Sequence, residues 1–451
     1  MKIRVNDTGI YRGVAAIAEQ LPDPRALKPG EDITIAFTGT EFVYLTGLVM
    51  LATWRKALPA GIHVHVDDSA CQRGTQAFLT NTGFREIIDT GHEIPSVNRR
   101  IGKVPLQPIT NQFSKEATVN DIVALFDEYS GHVEDLNPFK VMVSELCENV
   151  LAHSESSSPG YVCARVLENS GKAEITICDS GVGIYQSYMA GTNEDIKNRI
   201  LKGASALDLA LDGLNSSKPI TPAGSLRSYY GFGLLVTRRL VEENRGQLLL
   251  LSGKEGLNVD RFERHRTNLT HPFQGTFIGI VLDLNNPLPL EEIYDKASEQ
   301  YTGIGPMTAS KKTKKALEPN QKPLNTGVGI DINSEGAPAN KESTQPEPPT
   351  TDLTIRRIEL RHYGTELLTR DAGTAIRADI AGYLAAGYVV EVSLDDVTDI
   401  TPSVADEAFA KLAEILGHRN FEERVKIMGG TQIAQRLVAF VLNARQRKQG
   451  S

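Results

Sequence analysis

Apolar residues recur along this chain with two different periods, and the switches between them outline several α/β units. Residues 32–38 (DITIAFT) and 62–66 (IHVHV) read as strands. Residues 42–57 (FVYLTGLVMLATWRKA) and 74–84 (GTQAFLTNTGF) read as helices. Strand, helix, strand, helix predicts a small domain over 1–95 with helices packed on a sheet. The polar, irregular stretch 96–118 reads as a connector.

A larger block follows over 119–290. Helical spacing appears at 119–129, 138–153 and 232–244, and strand patterns at 160–168, 173–178, 246–252 and 275–284. Short turns between neighbouring strands predict an antiparallel sheet with the helices on one face. Residues 303–352 are poor in large apolar side chains and rich in Pro, Lys, Ser, Thr, Asn and Gly. Such a segment cannot bury enough surface to offset its ordering entropy, so a disordered linker is expected there. A last α/β unit is expected over 353–451, with a helix at 373–385, a buried strand at 388–394 and a further helix opening near Ile400–Glu407. Thr401 or Ser403 is placed to cap that last helix.

Composition narrows the class. The 451 residues suggest two to four domains, and 40% hydrophobic with 23% charged residues is ordinary globular material. No apolar run reaches membrane-spanning length and the start, MKIRVNDTGI, lacks a signal-peptide core, so a cytoplasmic protein without a membrane partner is expected. A net charge of -8 argues against a dedicated nucleic-acid binder. Of the four cysteines none forms a CxxC pair; Cys147, Cys163 and Cys178 fall in apolar patterns and read as small core residues.

Three local patterns carry candidate chemistry. In Glu145-Leu146-Cys147-Glu148-Asn149, Glu145 and Asn149 share a helix face with His153. A carboxylate beside a carboxamide suits an oxygen-liganded Mg²⁺ and a positioned hydroxyl or water, and equally an amphipathic helix with a polar outer face. In Asp179-Ser180-Gly181-Val182-Gly183, a strand runs into an acid and a Gly-x-Gly turn. The glycines admit a flat ligand and the acid accepts from an exocyclic amine, or the acid simply caps the turn. In Gly231-Phe232-Gly233, glycines open a helix whose N–H groups could cradle phosphate; alone, such a pair is a weak signal. No GxxxxGK[ST], dinucleotide fingerprint or GxSxG elbow is present.

Taken in order, these patterns resemble the ATP-binding signature of the GHKL superfamily, the fold of bacterial anti-sigma-factor serine kinases and histidine-kinase catalytic domains. Gly275-Thr276-Phe277 matches that superfamily's closing Gly-Thr element. The resemblance implies a central α/β sandwich binding ATP and Mg²⁺. It implies Asn149 as metal ligand, Glu145 as general base, Asp179 reading adenine with Thr276 beside it, Gly181 and Gly183 shaping the adenine pocket, Gly231 and Gly233 approaching the phosphates, and residues 185–230 as the lid.

The C-terminal block resembles STAS-like domains, whose anti-anti-sigma members carry a phosphorylatable Ser or Thr where a helix follows a strand. Ser403 is the nearest match and Thr401 the second; either could equally be a plain cap. The 1–95 block resembles STAS-like domains more weakly. The expected architecture is therefore an α/β multidomain chain, a GHKL sandwich flanked by small STAS-like domains. Two functions follow: a serine/threonine protein kinase of the anti-sigma type acting on a STAS-like domain, in cis or on a protein partner such as a sigma-factor regulator, or an ATP-gated interaction switch with slow hydrolysis. A homodimer is left open.

Overall fold

Three sequence blocks each build parallel or antiparallel sheet, and two apolar cores join them. The computed structural model describes residues 1–8, 12–38, 43–92, 102–129, 136–153, 158–167, 170–212, 232–286, 292–293 and 355–448. The expected linker, 303–352, lies outside these.

The N-terminal unit runs β1 (Lys2–Val5), α1 (Arg12–Ala18), β2 (Asp32–Phe37), α2 (Leu45–Ala57), β3 (His63–Asp67), α3 (Arg73–Asn81) and α4 (Phe84–Thr90). Its strands lie in the order β1-β2-β3, both pairings parallel. Every residue of α2 from Leu45 to Trp54 is buried. A helix apolar on all sides needs two packing partners: α2 has its own sheet on one side and the central sheet on the other.

The central unit runs β4 (Lys103–Ile109), α5 (Gln112–Tyr129), α6 (Asn137–His153), β5 (Gly160–Leu167), β6 (Lys172–Asp179), α7 (Gly183–Ala190), α8 (Glu194–Leu201), α9 (Ala206–Asp212), α10 (Phe232–Glu243), β7 (Gln247–Asp260) and β8 (Arg264–Asp283). Five strands form one antiparallel sheet in the order β4-β5-β6-β8-β7. Two expectations are corrected here. The 96–118 connector contributes an edge strand, β4, and the first turns of α5. Pro105 and Pro108 break the strand pattern, and a sheet edge tolerates the missing N–H groups. The second face of the sheet is also covered. Val162, Ala164, Ile175, Ile177, Leu248 and Leu250 pack into the core formed with α5, α6 and α10, while Tyr161, Cys163, Cys178, Leu249, Leu251 and Phe277 pack with the N-terminal unit. Alternate residues thus serve two cores. The Thr53 hydroxyl of α2 donates to the Cys178 carbonyl at 3.3 Å, tying the N-terminal unit to the end of β6.

The β6–β8 pairing sets Asp179 opposite Thr276. Next to it, Gly275 holds φ +93°, and a Cβ there would lie 2.0 Å from the Asp179 carbonyl oxygen. Neither the backbone conformation nor the space admits a side chain. Gly275→Ala should therefore destabilise the fold by about 2–4 kcal/mol, read as a lower urea midpoint; an unchanged midpoint would contradict this packing.

The C-terminal unit runs β9 (Ile355–Glu359), β10 (Glu366–Leu367), α11 (Arg370–Ala385), β11 (Val389–Ser393), β12 (Asp399–Ile400), α12 (Pro402–Ala405), a π turn (Asp406–Ala410), α13 (Lys411–Leu416), α14 (His418–Arg424), β13 (Val425–Met428) and α15 (Gln432–Lys448). A parallel sheet has the order β13-β11-β9, and β10 pairs β12 in parallel. Ile376, Ile380, Val404, Phe409 and Leu437 belong to the same apolar cluster as the helices of the central unit, so this unit packs against α6 and α10.

Candidate functional site

Helix α6 places the first two site residues. Phe139, Met142, Val143, Leu146, Cys147 and Val150 recur every three or four positions and are buried. Glu145, Glu148 and Asn149 lie off that stripe. The reading of this side as a solvated polar face does not hold: Glu145 and Glu148 are each only 6% exposed. The C-terminal unit covers them.

Ser403 contacts Glu145 twice across that interface. Its backbone N–H donates to Glu145 Oε1 at 3.2 Å, and its hydroxyl donates to Glu145 Oε2 at 2.9 Å. Burial pushes the Glu145 carboxyl above the usual carboxylate range, opposed by the charge of Arg370 and the hydrogen bond from Ser403. Thr401 takes the other role foreseen: its hydroxyl accepts from Val404 N at 3.2 Å and caps α12. Thr401 is fully buried, whereas Ser403 contacts the Glu145 carboxylate.

Glu148 anchors the interface. The ammonium of Lys115, itself fully buried, sits 2.8 Å from Glu148 Oε2 and also donates to the Leu368 carbonyl at 3.1 Å. Gln112 donates to the same carboxylate at 3.0 Å. Burial alone would raise the Glu148 carboxyl, but the Lys115 charge with these hydrogen bonds outweighs it and holds it below the ordinary value. Lys140 and Glu366 form a further ion pair across the interface at 2.5 Å.

The glycine motif of α10 reaches the same place. A Cβ on Gly233 would lie 3.0 Å from Glu145 Oε2 and 3.6 Å from Asn149 Nδ2. A side chain here would crowd Glu145, so a glycine lets the α10 backbone pass close to both groups. Asn149 is half-buried, one turn beyond Glu145. Gly231 and the side chain of His153 lie outside the described residues.

The strand-end acid adjoins the far end of α6. A Cβ on Gly160 would lie 2.5 Å from Val150 Cγ1 and 3.6 Å from Asp179 Cβ. Asp179, 8% exposed, accepts at Oδ1 from Gly181 N at 2.8 Å, with Thr276 N also donating to the carboxylate. Gly183 opens α7, and Ser252 ties the following turn by accepting from Ile184 N at 2.9 Å and donating to the Gly275 carbonyl at 2.7 Å. Motif by motif, Glu145, Asn149, Gly233 and Ser403 form one group, with Asp179, Gly181, Gly183 and Thr276 adjoining it beyond Val150.

Burial pushes the Asp179 carboxyl up to about 6, against the two backbone hydrogen bonds. The unfolded chain loses this proton near 3.8, the native state near 6, so native stability falls as pH rises through that window and is level above it. Holding the charge at neutral pH costs roughly 3 kcal/mol. A ligand N–H donating to the carboxylate would favour the charged form. A ligand held this way, an adenine amine if the sequence-based expectation holds, should bind up to about tenfold more weakly per pH unit below 6. Calorimetric titration of ADP checks it: Asp179→Asn should remove the slope, and a wild-type affinity independent of Asp179 between pH 5 and 7 would sink the idea.

Cys147, Cys163 and Cys178, expected as small core residues, are buried thiols; burial pushes Cys147 up to about 12 and the other two well above the ordinary value. They are core residues, without thiolate chemistry at neutral pH. The residues missed by sequence reasoning are Lys115, Lys140, Glu148, Glu366 and Arg370. Lys115 and Glu148 meet from separate helices 33 positions apart, and Lys140–Glu366 and Arg370–Glu148 join different units of the chain, so no local pattern announces these pairs.

Comparison with known proteins adds one finding. Residues 372–433 match the family described as a STAS-like domain of unknown function (DUF4325). The match runs from α11 into α15 and includes Ser403, so the C-terminal unit contains a STAS-like domain. No curated protein matches the chain. Among the described residues, no helix is long and apolar enough to cross a membrane.

Proposed function

We propose that this chain is an ATP-dependent serine kinase of the anti-sigma type, with a central GHKL nucleotide site and its own STAS-like domain as substrate. The observation that carries the reading is the 2.9 Å hydrogen bond from the Ser403 hydroxyl to Glu145. A nucleophile donating to a buried carboxylate whose proton affinity is raised is the arrangement a general base needs.

In this reading Glu145 takes the hydroxyl proton while Ser403 Oγ forms its bond to the γ-phosphorus. The bond bridging the β- and γ-phosphates breaks and ADP leaves. Gly233 keeps the start of α10 free of a side chain beside Glu145 and Asn149, and phosphate oxygens would approach the exposed backbone N–H groups of that helix start. Asn149 offers a hard oxygen ligand for Mg²⁺, which when bound neutralises phosphate charge. Asp179 would read the adenine amine, with Thr276 beside it.

Incubation of the full chain with γ-labelled ATP and Mg²⁺, followed by phosphosite mapping, tests this. Label is expected on Ser403 and should vanish in Ser403→Ala. Tight ATP binding with hydrolysis but no phosphoprotein would replace the kinase with the gated-switch reading.

A further inference from the structure

The Ser403 hydroxyl has a second charged neighbour. Arg370 Nη2 donates to Ser403 Oγ at 3.3 Å, and Arg370 Nε lies 3.6 Å from Glu148 Oε1. The backbone that carries Arg370 is held on both sides. Thr369 caps α11 by accepting from Ala372 N at 3.3 Å, which fixes Arg370 as the first helical residue. Two residues before it, the Leu368 carbonyl is held by buried Lys115.

Charge at this spot calls for such a cation. Glu145 and Glu148 are two buried carboxylates within one helical turn, and a polyphosphate brought beside them adds more negative charge. Lys115 is committed to Glu148 at 2.8 Å. Of these two cations, Arg370 is the one that contacts the reacting oxygen, and it does so with a planar guanidinium whose geometry suits phosphate oxygens.

We propose that Arg370 is a catalytic arginine delivered by the STAS-like domain, orienting Ser403 and taking up charge as the phosphoryl group moves onto its oxygen. This rests on Ser403 being the phosphoacceptor. Bonds balance as before: oxygen–phosphorus forms, the bridging bond breaks toward ADP, the proton goes to Glu145, and Arg370 keeps its own proton throughout. The substrate domain would thereby complete the active site. A serine lacking such an arginine would dock without being phosphorylated quickly.

The test uses the full chain and measures the single-turnover rate of Ser403 phosphorylation at saturating ATP, alongside the ATP dissociation constant. Arg370→Ala should slow transfer by about 10³-fold or more, leave ATP binding within about threefold, and regain part of the rate with added ethylguanidinium. Arg370→Lys should recover little, since it keeps charge without the fork. Lys140→Ala, which removes a different contact across the same interface, serves as the docking control and should show no guanidinium rescue. Normal labelling of Ser403 in Arg370→Ala overturns the proposal while the kinase reading stands. An equal loss in Arg370→Ala and Lys140→Ala, without guanidinium rescue, overturns it too, reducing Arg370 to a docking contact. Absence of label in the wild-type chain removes the kinase reading and this proposal with it.

Discussion

Glu145→Gln is expected to slow phosphorylation of Ser403 by about 10²–10⁴-fold, equivalent to roughly 3–5 kcal/mol of transition-state stabilisation, with ATP binding retained. The carboxamide oxygen can still accept a hydrogen bond from Ser403, so the docked geometry survives, but it cannot take the proton. Glu145→Ala should lose transfer to a similar degree and loosen docking as well, because the Ser403 N–H and hydroxyl lose their buried acceptor. The pH dependence has a defined sign. A base works only when deprotonated, and burial raises the Glu145 carboxyl, so the rate should fall on acidification at a higher pH than an ordinary carboxylate would give. Rapid-quench assays with the two variants check this; turnover equal to wild type in Glu145→Gln would reject the general-base role.

Lys115→Met should have the largest effect on stability. The ammonium has no exposure, and its removal strands Glu148, 6% exposed, without its closest cation. Breaking a buried pair from one side typically costs about 3–5 kcal/mol. The Leu368 carbonyl also loses its donor, so the contact between α5 and the C-terminal unit weakens together with the fold. The second change Glu148→Gln should restore part of the loss by removing the stranded charge. Chemical denaturation of the single and double variants measures it. A Lys115→Met protein within about 1 kcal/mol of wild type would mean that Glu148 finds adequate compensation from Arg370 and Gln112.

Much of the fold was legible because the period of the apolar residues is local. The α6 stripe from Phe139 to Val150, the β6 run into Asp179 and the β11 core segment each declare their element within a dozen residues. The long hairpin arm beyond Ser252 and the strand β4 did not. Residues 264–268 of the arm are exposed and carry no alternation, and β4 holds two prolines that only an edge strand accommodates. The double coverage of the central sheet had a signal that was underread. Strand β5 (GYVCARVL) and the LLLL run of β7 are apolar on both faces, as strands packed on two sides must be, and α2 lacks a polar side for the same reason.

The site divides along the same line. Glu145, Asn149, Asp179, Gly181, Gly183, Gly233 and Thr276 stood out as candidates because each stands in a short run whose residue types suggest a chemistry. Ser403 was readable only as a helix-opening hydroxyl. That it meets Glu145, 258 positions away, depends on how two units dock, and no periodicity encodes that. The same holds for Lys115 with Leu368 and for Arg370 with Glu148: charged residues in helices look solvated until a second domain closes over them.

The most direct measurement is the rate of phosphate incorporation at Ser403, followed by intact-protein and peptide mass spectrometry over a wide range of protein dilution. A hydroxyl already hydrogen-bonded to its proposed base within one chain predicts stoichiometric phosphorylation of Ser403 with a first-order rate independent of concentration. Phosphate on another residue, or none on Ser403 while ATP is bound, would contradict the account.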